Sequence, residues 1–239
     1  MDDSGEGPAP PAEGGGGLVS FLTSIRGVIS TIAALVVAIG GLITALNQVG
    51  LIGDDDPTKN HTAPGLFGPV ERPNGRVYFD EDVPDVMYVR ASIPNQPLLH
   101  LADRGEPLSD LSIRVRTEWV SGARDYGLGL VCRYENANNY YLLSLLSGGR
   151  YNIVRYRKGR RESLTRGIQT GYEPIEGATD VYAKCVGDDP ANLTLTVNGR
   201  QLATVRDEDA IGSGIIGVRV GSSESFVTIR FEGFVLSEL

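Results

Sequence analysis

Residues 126–157 constrain this chain more than any other stretch. They read Tyr-Gly-Leu-Gly-Leu-Val-Cys-Arg-Tyr, then Tyr-Tyr-Leu-Leu-Ser-Leu-Leu, then Arg-Tyr-Asn-Ile-Val-Arg-Tyr-Arg, parted by turn signals at Asn138-Asn139 and Gly148-Gly149. Short runs rich in aromatic and aliphatic residues and bounded by such dipeptides read as consecutive antiparallel strands. A three-stranded meander has an apolar face that must be covered by another layer. No helical period of useful length appears after residue 53, so the covering layer is expected to be a second sheet.

The rest of the C-terminal region agrees. Strand-like runs recur at 77–79, 86–91, 98–101, 111–119, 126–134, 140–146, 151–157, 181–187, 193–197, 201–205, 214–220 and 226–235. Asn198-Gly199 is the clearest hairpin, because a type I′ turn needs positive φ at both central residues. Alternation assigns faces. Tyr126, Leu128, Leu130, Cys132 and Tyr134 fall on one side of their run, with Gly127, Gly129, Val131 and Arg133 on the other. Val227, Ile229 and Phe231 oppose Thr228, Arg230 and Glu232 in the last run. The fold class expected for residues 76–239 is an all-β, two-sheet antiparallel sandwich or barrel.

The N-terminal part has a different character. Residues 1–17 are Gly/Pro/acid low complexity and read as a disordered tail. No charged side chain occurs from Gly27 to Leu46. As a helix, 28–46 would span roughly 28 Å, close to the hydrocarbon thickness of a bilayer. A transmembrane helix with its flanks is therefore expected over 18–52, followed by a polar linker over 53–75; a buried helix of a soluble core is the alternative. Gly27, Ser30, Ala34, Ala38, Gly41 and Ala45 step by three or four and form one stripe of that helix. Small residues so placed let two membrane helices approach, which would make a homodimer. Arg26 before the span and Lys59 after it bias the orientation little.

Charge and cysteine usage exclude several classes. The net charge is −8, and residues 61–239 hold 23 acids against 20 bases. Such a balance does not favour a phosphate backbone, so no nucleic-acid partner is expected. Cys132 and Cys185 lie in separate strand-like runs, and His61 and His100 neighbour neither. No metal or cofactor motif is present, and no nucleophile-elbow, phosphate-loop or dinucleotide pattern.

The order Gly-Leu-Val-Cys-Arg-Tyr, Tyr-x-Leu-x-Leu, a Gly-rich turn, Arg-Tyr-x-Ile, Tyr-x-Lys-Cys, Leu-x-Leu-x-Val-Asn-Gly, Gly-x-Ile-Gly-Val and Val-x-Ile-x-Phe resembles the concanavalin A-like lectin/glucanase superfamily. Within it, the chain is most similar to bacterial 3-keto-disaccharide-hydrolase-like and laminin-G-like extracytoplasmic domains. The resemblance covers about residues 76–239. It implies a jelly roll of two packed sheets. It also implies a Cys132–Cys185 disulfide, with two buried free thiols as the alternative. A bridge would require an oxidising compartment and so favours a domain outside the cell.

The chain lacks the carboxylate cluster of laminarinase-type hydrolases, and Glu118, Glu135 and Glu162 stand apart. Ligand-binding candidates are the tyrosines Tyr140, Tyr151 and Tyr156, whose rings suit the C–H faces of sugars. Arg155, Arg157, Arg160 and Arg161 add a basic hairpin about Lys158-Gly159, suited to an anionic polymer or to blunting a sheet edge. The function expected is a single-pass, membrane-anchored extracytoplasmic module that binds a carbohydrate or cell-wall polymer without catalysis. The alternatives are an accessory that dimerises through its membrane helix and binds a protein, and a glycoside hydrolase-like enzyme.

Overall fold

The long central strands each have an apolar face to bury, and the fold buries them by stacking two antiparallel sheets. The computed structural model describes residues 61–62, 66–103, 105–165 and 177–239. In chain order the strands are β1 (His61–Thr62), β2 (Val70–Arg72), β3 (Gly75–Phe79), β4 (Val86–Ala91) and β5 (Leu98–Leu101). Then come β6 (Leu111–Gly122), β7 (Tyr126–Asn136), β8 (Asn139–Leu146), β9 (Arg150–Arg157) and β10 (Arg160–Ser163). The last five are β11 (Thr179–Val186), β12 (Ala191–Val197), β13 (Arg200–Asp207), β14 (Ile215–Ser222) and β15 (Val227–Glu238). A nine-stranded sheet runs β13-β12-β11-β6-β15-β4-β3-β2, with β1 also on β15; a six-stranded sheet runs β10-β9-β8-β7-β14-β5.

The inner faces supply one continuous core. Leu111, Ile113 and Val115 of β6 and Ile229 and Phe231 of β15 meet Leu128 and Leu130 of β7 and Leu143 and Leu145 of β8, all buried. Each such side chain contributes roughly 1.5–3 kcal/mol on leaving water. The disulfide joins Cys132 of β7 to Cys185 of β11, so it ties one sheet to the other across 53 residues of chain. The pairing implied by the family resemblance is thus present.

Local turn chemistry holds the edges. Asn198 (φ 48°) and Gly199 (φ 74°) close β12 to β13 as the Asn-Gly signal predicts. Lys158 (φ 49°) and Gly159 (φ 76°) do the same for β9 and β10. The β7–β8 turn differs from expectation by one residue. Asn136 pairs with Asn139, and the Asn136 side chain accepts from the Asn138 N–H, which fixes the turn over 137–138.

Two sequence expectations are corrected. Strict alternation places Tyr134 beside Cys132 in the core and Arg133 outside. Instead, β7 carries a bulge: three steps from Val131 to Tyr134 oppose two on β14 from Gly217 to Ile215. Arg133 takes φ 52°, its side chain is fully buried, and Tyr134 turns to the outer face. The backbone just before β14 presses against this bulge so closely that a Cβ at Gly214 would lie 2.5 Å from the Arg133 carbonyl carbon. Second, part of the stretch read as linker is sandwich. Leu66 and Phe67 are in the core, Phe67 lies edge-on to Phe234, and β2 extends the large sheet. The reason is compositional: Leu-Phe between Pro/Gly residues is too short to signal a strand yet apolar enough to be buried.

The expected membrane helix over 18–52 and its stripe Gly27, Ser30, Ala34, Ala38, Gly41 and Ala45 lie outside the described residues. Among those described, no helix is long and apolar enough to cross a membrane.

Candidate functional site

Register brings the outer face of the six-stranded sheet into four rows. Because side chains alternate, every second residue of each strand points outward, and paired residues stand side by side. One row is Gly221, Gly127, Leu146 and Arg150; the next is Arg219, Gly129, Ser144 and Asn152. The third is Gly217, Val131, Leu142 and Val154; the fourth pairs Tyr140 with Tyr156 and Tyr156 with Arg161. Glycines on β7 and β14, at 127, 129 and 221, flanked by Leu142, Leu146, Arg150 and Arg219, make a trough rather than a flat face. Its volume is about 340 Å³.

Glycine makes the floor for a steric reason. A Cβ on Gly129 would lie 2.6 Å from Leu142 Cδ1 and 3.1 Å from the Leu143 carbonyl oxygen. The Leu142 side chain therefore leans over the glycine. With Val131, Tyr140 and Val154 it forms a second, outer apolar cluster, bordered by Leu99, Tyr134 and Tyr156. Tyr140 and Tyr156 are stacked at 4.3 Å and 11°, and Tyr134 meets Tyr140 at 5.5 Å. Burial, then the neighbouring Tyr156 hydroxyl, raises the Tyr140 phenol well above the ordinary tyrosine range.

Polar groups stand around this floor. Asp125, at the start of the meander, accepts hydrogen bonds from Ser147 Oγ at 2.7 Å and from Ser223 Oγ. The Ser223 contact, then the Ser147 contact, holds its carboxyl below the usual range, so it is ionised at neutral pH. Arg150 Nε donates to the Ser147 carbonyl at 3.2 Å, and Arg219 Nη1 donates to the Tyr156 hydroxyl at 3.4 Å. Asn152 Oδ1 accepts from Ser163 Oγ at 2.7 Å. Among the described residues lining the trough, Asp125 is the one carboxylate.

The sequence candidates separate into groups. Tyr140 and Tyr156 lie on the outer face, although Tyr140 is itself buried by its neighbours. Arg161 lines the trough. Tyr151 points into the core, where its hydroxyl donates to the Leu202 carbonyl at 2.8 Å. Arg155 faces the other way as well. It reaches Asp207 and Glu162, both at 2.6 Å, in a network that includes the Tyr141 hydroxyl donating to Asp207 at 2.6 Å. Arg157 is paired with Asp209 at 2.8 Å, and Arg160 is exposed. Two arginines of the basic hairpin, Arg155 and Arg157, are therefore paired with Asp207 at the end of β13 and Asp209 just after it, whereas Arg160 and Arg161 form no such pair among the described residues. Residues that sequence reasoning did not single out are Asp125, Ser144, Arg150, Asn152 and Arg219. Alternation along 150–157 already puts Arg150, Asn152 and Tyr156 on one face; no local signal places β14, and with it Arg219, beside β7.

The sequence matches no protein-family model and no curated protein sequence. Solved structures do match it. The carbohydrate-binding module CBM66 of Bacillus subtilis superposes with a TM-score of 0.52 at 15% identity, over 76% of this chain and 96% of that one. The endo-β-1,4-glucuronan lyase of the fungus Trichoderma reesei gives 0.51 at 9% identity, over 76% and 94%. The β-glucanase of Bacillus licheniformis gives 0.50 at 8%, over 78% and 95%. At these identities the likeness concerns the fold alone, an all-β sandwich of two antiparallel sheets.

Proposed function

We propose that this chain is a non-catalytic carbohydrate-binding module, held by residues 18–52 in a membrane and presented outside the cell. The observation that carries the reading is the glycine-floored trough on the outer face of the six-stranded sheet. Its apolar floor suits the C–H faces of sugar rings, and the amide of Asn152, the hydroxyl of Ser144 and the guanidiniums suit their hydroxyls. A concave, largely apolar site with a few placed polar groups is the usual form of a small-ligand site. The superposition on a carbohydrate-binding module supports the same reading.

Binding without hydrolysis is supported by the lining. Glycoside hydrolysis generally uses two carboxyl groups across the scissile bond. Here Asp125 stands without a second carboxylate among the described lining residues, and serine hydroxyls engage both of its oxygens. The inter-sheet disulfide supports an oxidising compartment, and the uncharged run from Gly27 to Leu46 supports the anchor.

The test is a glycan array probed with the purified full chain, followed by calorimetry on the hits. Retained oligosaccharides whose affinity falls on Asn152→Ala are the expected outcome. Absence of any glycan signal, with a protein partner recovered instead, would replace this reading with that of an adaptor. Protease shaving of intact cells checks the orientation: loss of the β-domain only after lysis would place it in the cytoplasm.

A further inference from the structure

We infer that the trough selects acidic oligosaccharides, with uronic-acid carboxylates bound by Arg150, Arg161 and Arg219. This deepens the carbohydrate-binding reading and rests on it. The three arginines come from three strands, β9, β10 and β14, and all line the same trough. Arg219 and Arg150 lie three strand spacings apart, so they flank a floor about 14 Å wide.

Other arginines, such as Arg72, Arg114 and Arg160, also lack an ion pair among the described residues; what sets these three apart is that they are unpaired and share one trough. Arg133, Arg155, Arg157, Arg206 and Arg230 each have a carboxylate within 4.0 Å. Among the described residues, none of the trough arginines forms such an ion pair. Arg150 and Arg219 are each steadied by one hydrogen bond, to the Ser147 carbonyl and the Tyr156 hydroxyl. A guanidinium has five N–H donors, so most of each fork remains for a ligand. Three cations against the single carboxylate of Asp125 leave the lining net positive on a chain whose overall charge is −8. The Asp125 carboxylate and the Arg150 guanidinium attract each other, so Asp125 weakens the positive field near Arg150. The excess therefore lies towards Arg219 and Arg161.

A carboxylate matches this arrangement better than a hydroxyl does. Guanidinium–carboxylate pairs can be bidentate and are stronger than neutral hydrogen bonds. Apolar walls beside like-signed charges also focus the field into the cleft. A uronic acid offers both halves: a ring face for the floor and a carboxylate at its edge for an arginine.

The experiment is calorimetric titration of the full chain with matched oligosaccharide pairs: glucans against oligoglucuronates, galactans against oligogalacturonates, mannans against oligomannuronates. The expected result is at least tenfold tighter binding of one acidic member than of its neutral counterpart in 20 mM salt, shrinking in 300 mM salt. Arg219→Gln, Arg150→Gln and Arg161→Gln should each weaken the acidic ligand about tenfold and any neutral ligand by less, so that the preference for the acidic member shrinks with each substitution. Unfolding midpoints measured on each variant exclude loss of fold as the cause. Equal or tighter binding of the neutral member overturns acidic selectivity while leaving a carbohydrate module. Acidic binding that all three substitutions leave unchanged overturns the assignment of the arginines. Binding to no member of any pair overturns the carbohydrate reading itself.

Discussion

Replacing Arg133 by methionine should remove about 3 kcal/mol of stability, although Arg133 is fully buried and lines no part of the trough. Its guanidinium closes one end of the sandwich. Nε donates to the Ser109 carbonyl at 2.7 Å, Nη1 to Ile211 at 2.9 Å and Nη2 to Gly187 at 2.8 Å. Asp110 adds a contact at 3.4 Å and also accepts from the Gly187 N–H at 2.7 Å. The loops before β6, after β11 and after β13 are thus tied to one side chain. Methionine fills the stem but offers no donor. The buried bond to Ile211 is worth roughly 2–3 kcal/mol, and the two part-buried carbonyls, which water can partly satisfy, roughly 1 kcal/mol each. Against that sum, a fully buried charge no longer has to be desolvated, which returns roughly 1–2 kcal/mol in a well-bonded site. Asp110 is half exposed and keeps its water, so it leaves no stranded charge. Urea unfolding followed through Trp119, the single tryptophan, reads the difference with the disulfide intact. With a slope of about 2 kcal/mol/M, the midpoint should fall by about 1.5 M. Arg133→Lys, whose ammonium cannot fork to three carbonyls, should fall between. A loss below about 1 kcal/mol for Arg133→Met would refute the idea that this guanidinium joins the loops.

Three other perturbations follow from the same structure. The double replacement of Cys132 and Cys185 by alanine frees a loop with a sequence separation of 53, so the chain-entropy model gives a loss of about 4 kcal/mol; calorimetry should find a stability decrease of at least half that. Burial first, opposed by the Asp103 carboxylate and assisted by Arg72, holds the His100 imidazole below its ordinary value of 6.5. Its neutral form is favoured by folding, so the stability is present above about pH 6.5 and is lost as pH falls below it, by at most about 1.4 kcal/mol per pH unit. His100→Phe should flatten that slope between pH 6.5 and 5, and an unchanged slope would assign the acid sensitivity to other groups. Gly129→Ala should drive Leu142 into the trough, lower stability by about 1–3 kcal/mol and weaken oligosaccharide binding at least tenfold; calorimetry with the best glycan checks it, and unchanged affinity would remove the floor from the site.

A period of two is a local property, and for that reason strand positions and most facings were legible. Leu193, Leu195 and Val197 of β12 are buried on the side that alternation assigns, as are Val227, Ile229 and Phe231 of β15. The Asn198-Gly199 hairpin was readable for a similar reason, since positive φ is a requirement on two adjacent residues. Tyr134 and Arg133 were misread because a bulge inserts one residue into the alternation, and nothing in Cys-Arg-Tyr-Glu announces it. Arginine at an outward position looks solvated until three carbonyls from distant loops are found around it.

The charge pattern shows the same division. Arg155, Arg157, Arg160 and Arg161 read as one basic hairpin because they are close in sequence. Their fates differ because Asp207 and Asp209, some fifty residues later, reach Arg155 and Arg157 but not the outward-facing Arg161. Sequence by itself determined an all-β region of alternating strands after residue 76, hairpins such as Asn198-Gly199 and the uncharged stretch before them. Tertiary structure decided which strands lie side by side, and therefore that Arg219, Gly129, Ser144 and Asn152 form one row of a single trough. Alternation is enforced by sterics between adjacent residues, whereas a row across a sheet is enforced by hydrogen bonds between strands that no local pattern encodes.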